Sequence, residues 1–266
     1  MSFINLTTLM AEPTFLVTND DGIHVYFIHA LAKALRKYGT TYVVAPADEQ
    51  SWVGRRVSRT GKVKVRPYTE IAGIKGWEVE GTPCDATNIA LSHLLPVKPD
   101  VMVSGINVGW NAMLPVLYSS GTVAGALEGA SWGLPAIALS IHLEGEDFDL
   151  VKVDSVNPPA SIKSRVDIAA ELGAKFAAGK VGQANDNNLV YNVNFPTDPK
   201  PDTPWVTTQP GHIKLGSLFR ESEPGTFTFQ YNEDTIRTTP NGLPSDFVAF
   251  SQGNISVSEL NFNNLS

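Results

Sequence analysis

The chain has 266 residues, enough for one large domain or for a domain with an appendage. Its 20 Lys and Arg residues against 27 Asp and Glu residues give a net charge of -7, which argues against nucleic acid as the main partner. No segment approaches the roughly 20 apolar residues of a membrane span, and the single Cys84 cannot form an intrachain disulfide. We therefore expect a cytoplasmic protein without a membrane partner.

Short apolar segments alternate with helical ones in the first half of the chain. After an N-terminal extension, residues 1–13, the pattern predicts strands over 15–18, 41–45, 62–66, 101–104 and 136–141. Helical patterns cover residues 25–38, 84–94 and 123–132. Such β–α alternation predicts an α/β fold, with a mainly parallel sheet flanked by helices.

The pattern loosens after Ile141. Residues 143–163 are polar, 165–178 read as a helix and 188–195 as a strand. Beyond Pro196 the chain is rich in Pro, Gly, Thr and Asn, with strand-like pieces at 226–231, 247–250 and 255–257. We predict a core over residues 14–196, and a C-terminal arm and β segments over 197–266 that pack on the core or on a partner subunit.

Oxygen-bearing side chains follow three of the predicted strands. Asp20 and Asp21 come directly after the first strand, with Gly22 to permit a turn. The strand over 41–45 is followed by Asp48, Glu49, Gln50 and Ser51, and the strand over 101–104 by Asn107 and Asn111. In open α/β sheets, ligands bind outside the carboxyl ends of parallel strands. Carboxylate, hydroxyl and amide oxygens suit Mg²⁺, Mn²⁺ or Ca²⁺ better than Zn²⁺. The strand ends therefore predict a cation site, although the Asp pair by itself also fits a surface turn.

A second motif, Tyr118-Ser119-Ser120-Gly121-Thr122, precedes the predicted helix over residues 123–132. Small residues there let backbone N–H groups and hydroxyls face an anion at a helix N-terminus. The alternative is a structural role, in which Ser or Thr only caps the helix. Together, a cation site and an anion site on one crevice indicate phosphoryl chemistry.

Other phosphate and nucleophile motifs are absent from the sequence. No G-x-x-x-x-G-K-[ST] loop, no G-x-G-x-x-G after the first strand and no G-x-S-x-G occur. Nucleotide hydrolysis of the P-loop type and a nicotinamide-dependent oxidoreductase are both disfavoured. A water activated by a metal ion is therefore the better nucleophile.

Five segments together resemble the SurE family of metal-dependent nucleotidases: Val17-Thr18-Asn19-Asp20-Asp21-Gly22, Val44-Ala45-Pro46 with Ser51, Gly81-Thr82-Pro83, Val103-Ser104-Gly105-Ile106-Asn107 and Ser120-Gly121-Thr122-Val123. The resemblance implies a Rossmann-like core and hydrolysis of nucleoside 5′- or 3′-monophosphates. It implies one divalent cation per subunit, Mg²⁺ or Mn²⁺, bound by Asp20, Asp21, Ser51 and Asn107, with the two Asp residues catalytic. It also implies a homodimer or homotetramer with exchanged C-terminal arms. The expected phosphate and substrate contacts are Asn19, Asn111, Ser119, Ser120, Gly121 and Thr122.

The sequence departs from the family pattern around this site. Residues 25–27 replace a usual Pro-Gly turn, Trp52 replaces a small Gly, and Arg56 replaces a small polar residue. One extra residue between Asn111 and Thr122 leaves open whether Ser119 or Ser120 contacts the anion. A binding protein for a phosphorylated ligand, with a pocket closed by Trp52, Tyr26 and Phe27 and little catalysis, is the alternative function. Trp52 either stacks on a nucleobase or covers the pocket.

Overall fold

Strands and helices alternate in a computed structural model that describes residues 12–186, 188–231, 236–238 and 242–264. The first seven strands are β1 Thr14–Thr18, β2 Thr40–Pro46, β3 Val65–Tyr68, β4 Lys75–Val79, β5 Val101–Val108, β6 Ala136–Ile141 and β7 Leu189–Phe195. The helices between them are α1 Tyr26–Leu35, α2 Pro83–Ile89, α3 Leu114–Ser119, α4 Gly121–Ala130, α5 Gly145–Val153 and α6 Ala160–Ala178, with one π-helical turn, Ala90–Leu94, after α2. The remaining elements are β8 Trp205–Thr208, β9 His212–Lys214, β10 Phe219–Glu223, β11 Thr226–Phe229, β12 Ile236–Thr238, α7 Asp246–Ser251 and β13 Ile255–Asn261.

Nine of these strands form one sheet, in the order β3-β4-β2-β1-β5-β6-β7-β13-β8. Neighbouring strands from β4 to β7 run parallel, whereas β3 and β13 are antiparallel to β4 and β7. The predicted α/β fold with a mainly parallel sheet is therefore confirmed. After β1 the chain passes to β2 on one side and later to β5 on the other. This reversal makes a topological switch point at the carboxyl ends of β1 and β5.

Helices cover both faces of the sheet because successive strand residues point to opposite faces. Phe15 of β1 belongs to the apolar cluster that contains residues of α1 and α6. Leu16 belongs to the cluster on the other face, with residues of α2 and α4. Among the described residues, none of the helices combines the length and apolar character that a membrane crossing requires.

The prediction of a strand-like piece at residues 247–250 is wrong, because these residues lie in helix α7. Phe247 and Phe250 are three residues apart, and their rings contact each other with centroids 5.1 Å apart, as neighbours on one helix face do. A short, continuous apolar run does not distinguish a buried strand from a short helix. The buried Asp246 at the start of the helix accepts the N–H of Phe247.

The C-terminal part of the chain extends the central sheet. β13 pairs with β7 and with β8, so the sheet includes two strands from beyond residue 196. β10 and β11 form a separate antiparallel hairpin. Most of the predicted N-terminal extension, residues 1–11, lies outside the described residues.

Candidate metal and phosphate site

The Asp pair lies at the switch point of the sheet. Asp20 and Asp21 follow β1, which pairs in parallel with β2 and β5. Gly22 adopts a φ of +101°, a conformation that side chains disfavour, and its carbonyl accepts the side-chain amide of Asn19 at 2.8 Å. This turn allows two adjacent side chains to leave the strand and approach the same crevice.

Hydrogen bonds tie each carboxylate to a different element. The Thr122 hydroxyl at the start of α4 donates to Oδ1 of Asp20 at 2.6 Å. The backbone N–H of Val108 at the end of β5 donates to Oδ2 of Asp21 at 3.0 Å. The Asp pair therefore joins the end of β5 to the first turn of α4.

The surroundings of the Asp pair favour a cation. Burial raises the pKa of Asp20 to about 6, and the nearby Glu49 charge also raises it. Burial, followed by the charge of Asp20, raises the pKa of Asp21 well above its ordinary value. Desolvation and mutual repulsion both oppose ionisation, so a bound cation would stabilise the charged pair.

Hydrogen bonds of their neighbours bring the segments of the other two predicted metal ligands to the pair: Val108, next to Asn107, donates to Asp21, and Gln50, next to Ser51, donates to the Asp20 carbonyl. The side-chain N–H₂ of Asn107 donates to the carbonyls of Val108 and Gly109, at 3.3 and 2.9 Å, which sets the orientation of its amide. A register shift in the β5–β6 pairing, between Ser104 and Asn107, accompanies this placement. The Ser51 hydroxyl donates instead to Oε1 of Glu49 at 2.7 Å.

This donor set fits a hard divalent cation such as Mg²⁺ or Mn²⁺. The available donors are two carboxylates with amide and hydroxyl oxygens, and no group of three or more His, Cys, Asp or Glu side chains with metal-site geometry occurs among the described residues. The Oδ1 atom of Asn19, next to Asp20, is buried and accepts no hydrogen bond within the described part of the chain. Hard oxygen ligands and an unsatisfied buried oxygen both suit a cation with bound water.

The predicted anion-binding residues form the junction between α3 and α4. Ser119 ends α3, and its hydroxyl donates to the carbonyl of Pro115 at 3.4 Å. The Ser120 hydroxyl caps α4 by accepting the N–H of Val123 at 3.1 Å. Gly121 begins α4 against Asp20, since a Cβ atom at this position would lie 2.7 Å from the Asp20 Cβ. The start of α4 therefore directly contacts the Asp pair.

Asn111 holds Thr122 in place. Its side-chain N–H₂ donates to the hydroxyls of Thr122 and Ser140, at 3.1 and 3.0 Å. The backbone carbonyl of Asn111 accepts the side-chain amides of Asn192 and Asn194 on β7. The roles of these two residues were not predicted from the sequence. The sequence feature that could have indicated these roles is a pair of Asn residues, two positions apart, in an otherwise apolar strand.

The loop that contains Ser51 bridges the two halves of the site. The N–H of Gln50 donates to the carbonyl of Asp20 at 2.7 Å, and the N–H of Gly54 donates to the carbonyl of Ser119 at 2.9 Å. A Cβ atom at Gly54 would lie 2.8 Å from the carbonyl oxygen of Tyr118, so the approach is close. Residues 50–54 therefore span from the Asp pair to the α3–α4 junction.

The segment Gly81-Thr82-Pro83-Cys84-Asp85 holds the next part of this loop. Thr82 and Asp85 form a capping box at the start of α2. The Thr82 hydroxyl also donates to the carbonyl of Arg56 at 2.7 Å, and Asp85 accepts the N–H of Ser58 at 3.0 Å. The segment thus caps a helix and anchors the loop at residues 56 and 58.

Two departures from the family pattern do not lie at the pocket mouth. Phe27 is fully buried in the cluster with α6, and the Tyr26 hydroxyl donates to Asp167 of α6 at 2.8 Å. The expectation that Tyr26 and Phe27 close the pocket is wrong, because α1 turns them toward α6. Trp52, in contrast, stays in the loop beside Ser51.

Comparisons with known proteins identify the family of the chain. A family model described as Survival protein SurE matches residues 15–215. The 5'-nucleotidase SurE of Chlorobaculum tepidum is 44% identical over 144 residues, which are 54% of this chain and 54% of that protein. The chain therefore spans about half the length of that relative. The 5'-nucleotidase SurE of Methanosarcina mazei is 31% identical over 236 residues, 80% of this chain and 85% of that protein. The crystal structure of the SurE protein from Aquifex aeolicus matches with a TM-score of 0.72 and 26% identity, over 96% of this chain and 95% of that chain.

Proposed function

This chain belongs to the SurE family, and from that premise we propose that it is a metal-dependent phosphomonoesterase that hydrolyses nucleoside monophosphates. One observation carries the proposal: the Thr122 hydroxyl at the start of α4 lies 2.6 Å from the carboxylate of Asp20. This hydrogen bond joins a cation-binding residue to a helix N-terminus suited to phosphate. The names of the relatives favour the 5′ position. Hydrolysis of 3′-monophosphates and a cytoplasmic location stay predictions.

The cation would be Mg²⁺ or Mn²⁺, one per subunit, held by Asp20, Asp21, Asn107 and Ser51. The chemistry that such an ion supplies is Lewis-acid polarisation of the phosphoryl group and a lowered pKa of the attacking water. For Ser51 to join this set, its hydroxyl must turn from Glu49 toward the Asp pair.

Protein groups hold the phosphate and accept the proton. The first N–H groups of α4, including that of Gly121, have no partners within the helix and would bind the non-bridging oxygens as charge develops on them. Asp21 would accept the proton of the water at Oδ1, because Val108 occupies Oδ2.

The decisive experiment measures phosphate release from AMP and 3′-AMP with Mn²⁺, with Mg²⁺ and with a chelator. We expect metal-dependent release, and a loss of at least about 100-fold in kcat for Asp20→Asn, because this change removes a charged ligand. Asp149→Asn is the matched control, because Asp149 is an exposed carboxylate on α5. Full activity in Asp20→Asn, or no release with any metal, would contradict the proposal.

A phosphate-ligand binding protein is the second candidate. The observation that favours it is the contact of Trp52, in the loop that contains Ser51, with Phe229 and Tyr231, which would cover the site. Such a protein would bind AMP, as calorimetry would detect, and release no phosphate under the conditions above.

We further propose that the chain forms a homodimer or homotetramer with exchanged C-terminal arms. Support comes from the β10–β11 hairpin, where Phe219, Phe227 and Phe229 are all exposed. Exposed apolar patches of this kind mark interaction surfaces.

A further inference from the structure

Trp52 occupies the centre of the bridge between the two halves of the site. The bridge begins where Gln50 N–H donates to the Asp20 carbonyl at 2.7 Å, and it ends where Gly54 N–H donates to the Ser119 carbonyl at 2.9 Å. Trp52 therefore follows a proposed metal ligand and precedes a contact with the anion-binding junction. The backbone of Trp52 therefore lies between the two halves of the proposed site.

A second tryptophan lies on the other segment of the site. Gly109, just before Trp110, accepts the side-chain amide of Asn107 at 2.9 Å. Asn111, just after it, donates to the Thr122 hydroxyl at 3.1 Å. Trp110 thus also stands between a proposed metal ligand and the anion-binding turn.

The C-terminal part of the chain brings two more rings to these tryptophans. The Tyr231 ring centroid lies 6.1 Å from that of Trp52 and 6.5 Å from that of Trp110. The Phe229 ring lies 5.2 Å from Trp52. We call these four residues, Trp52, Trp110, Phe229 and Tyr231, the aromatic cover. It joins three distant parts of the sequence beside one polar site.

The position of Trp52 is not that of a core residue. Its side chain is 39% exposed, and its backbone has a φ of +61°, a left-handed conformation that is uncommon for a bulky residue. Residues held in such conformations cluster at functional sites. Thr82 and Asp85 also form hydrogen bonds to the same loop at residues 56 and 58. A partly exposed indole on the loop that bridges the proposed metal and phosphate residues is available to stack on a ligand.

We propose that Trp52 is a specificity-determining residue whose indole stacks on the nucleoside base, so that the enzyme prefers nucleoside monophosphates to aliphatic phosphomonoesters that carry no base. This inference rests on the proposed function and deepens it. Every base has a π-face, so stacking selects a substrate that carries a base without selecting one base. A stacked base strengthens binding by roughly 5- to 150-fold.

The test compares AMP with glycerol phosphate as substrates of the metal-loaded full chain. Trp52→Asn removes the ring with a residue that tolerates a positive φ, and Trp52→Phe keeps an aromatic face. We expect the ratio of kcat/KM for AMP to that for glycerol phosphate to fall about 10-fold or more in Trp52→Asn, chiefly through KM for AMP. Trp52→Phe should restore most of the ratio.

Trp132→Asn is the matched control, because Trp132 is 40% exposed and follows the far end of α4. Its ratio should equal that of the unchanged chain. An equal loss on both substrates in Trp52→Asn would show that Trp52 only positions the loop. An unchanged or increased ratio would show that Trp52 only covers the site. Either result overturns the inference.

The wild-type chain separates this inference from the proposed function. Absence of phosphate release from both substrates would reject the proposed function. In that event, calorimetric titration with AMP still tests Trp52: weaker binding of AMP by Trp52→Asn than by Trp132→Asn supports stacking, and equal binding overturns it.

Discussion

At the residue scale, the Asp pair is a source of instability when no cation is bound. Burial and mutual repulsion raise the pKa of Asp21, and burial raises that of Asp20 from 3.8 to about 6. The folded chain therefore binds more protons than the unfolded chain between pH 4 and at least pH 6. It follows that the contribution of the pair to stability decreases as pH rises through this window.

We predict that Asp21→Asn stabilises the chain in the presence of a chelator at pH 7.5. The Asn side chain can still accept the N–H of Val108 but has no charge. Each kcal/mol gained should raise Tm by about 2–4 °C in a chain of this size. At pH 5 the gain should be smaller, since protons already neutralise part of the pair. Calorimetric scans at the two pH values measure both differences.

Addition of Mn²⁺ should reverse the order of these variants. The wild-type chain should gain Tm because the ion binds the folded pair, and Asp21→Asn should gain little. Asp149→Asn, at an exposed position on α5, should follow the wild-type chain throughout. A Tm difference that is independent of both pH and Mn²⁺ would refute this account of the pair.

At the element scale, the loop between β2 and β3 depends on the start of α2. Thr82 both caps α2 and donates to the carbonyl of Arg56. The same loop contains Ser51 and Trp52, which have proposed roles in metal binding and base stacking. Stability of the helix end and geometry of the site are therefore coupled through one hydroxyl.

We predict that Thr82→Ala destabilises the chain and weakens substrate binding together. Loss of the cap costs about 0.5–2 kcal/mol of unfolding free energy, and the released loop should raise KM for AMP. Urea unfolding and steady-state kinetics measure the two effects. Ser131→Ala is the control, because this exposed hydroxyl donates only to the Leu127 carbonyl at the end of α4. If Thr82→Ala is destabilised but keeps the wild-type KM for AMP, the geometry of the loop does not depend on the cap, and the prediction is wrong.

At the scale of the whole molecule, the C-terminal part of the chain contributes strands to the central sheet and also forms an exposed hairpin. β13 lies between β7 and β8, so the last described strand is an internal strand of the sheet. The β10–β11 hairpin, by contrast, exposes Phe219 by 58% and Phe227 by 59%. Apolar side chains exposed to this extent are suited to contact between subunits.

We predict that light scattering gives a mass of two or four times 28.7 kDa. The double change Phe219→Ser and Phe227→Ser should lower this mass, since it removes apolar area from the hairpin and leaves Phe229 beside Trp52. Val153→Ser, at an exposed position on α5, should leave the mass unchanged. A monomeric wild-type chain, or an unchanged mass in the double variant, would count against the assembly.

Local patterns in the sequence were sufficient for much of the fold. Apolar runs followed by turn residues placed the parallel strands β1, β2, β5, β6 and β7 but missed the parallel strand β4. The alternation with helical patterns predicted the α/β class. The motif around Asp20 and Asp21 predicted that the pair lies at a strand end, because this position depends only on residues that are near in sequence.

Only the tertiary structure decided which distant groups meet. The turn of Tyr26 and Phe27 toward α6, the contacts of Asn192 and Asn194 with Asn111, and the ring contacts of Trp52 with Tyr231 all join residues far apart in sequence. The short apolar run of α7 likewise fits a strand or a helix until its packing partners are known. The sequence by itself thus determined many of the elements and the place of the Asp pair at a strand end, because these depend on local spacing. The surroundings of the pair depend on sheet order and packing, which no local pattern contains.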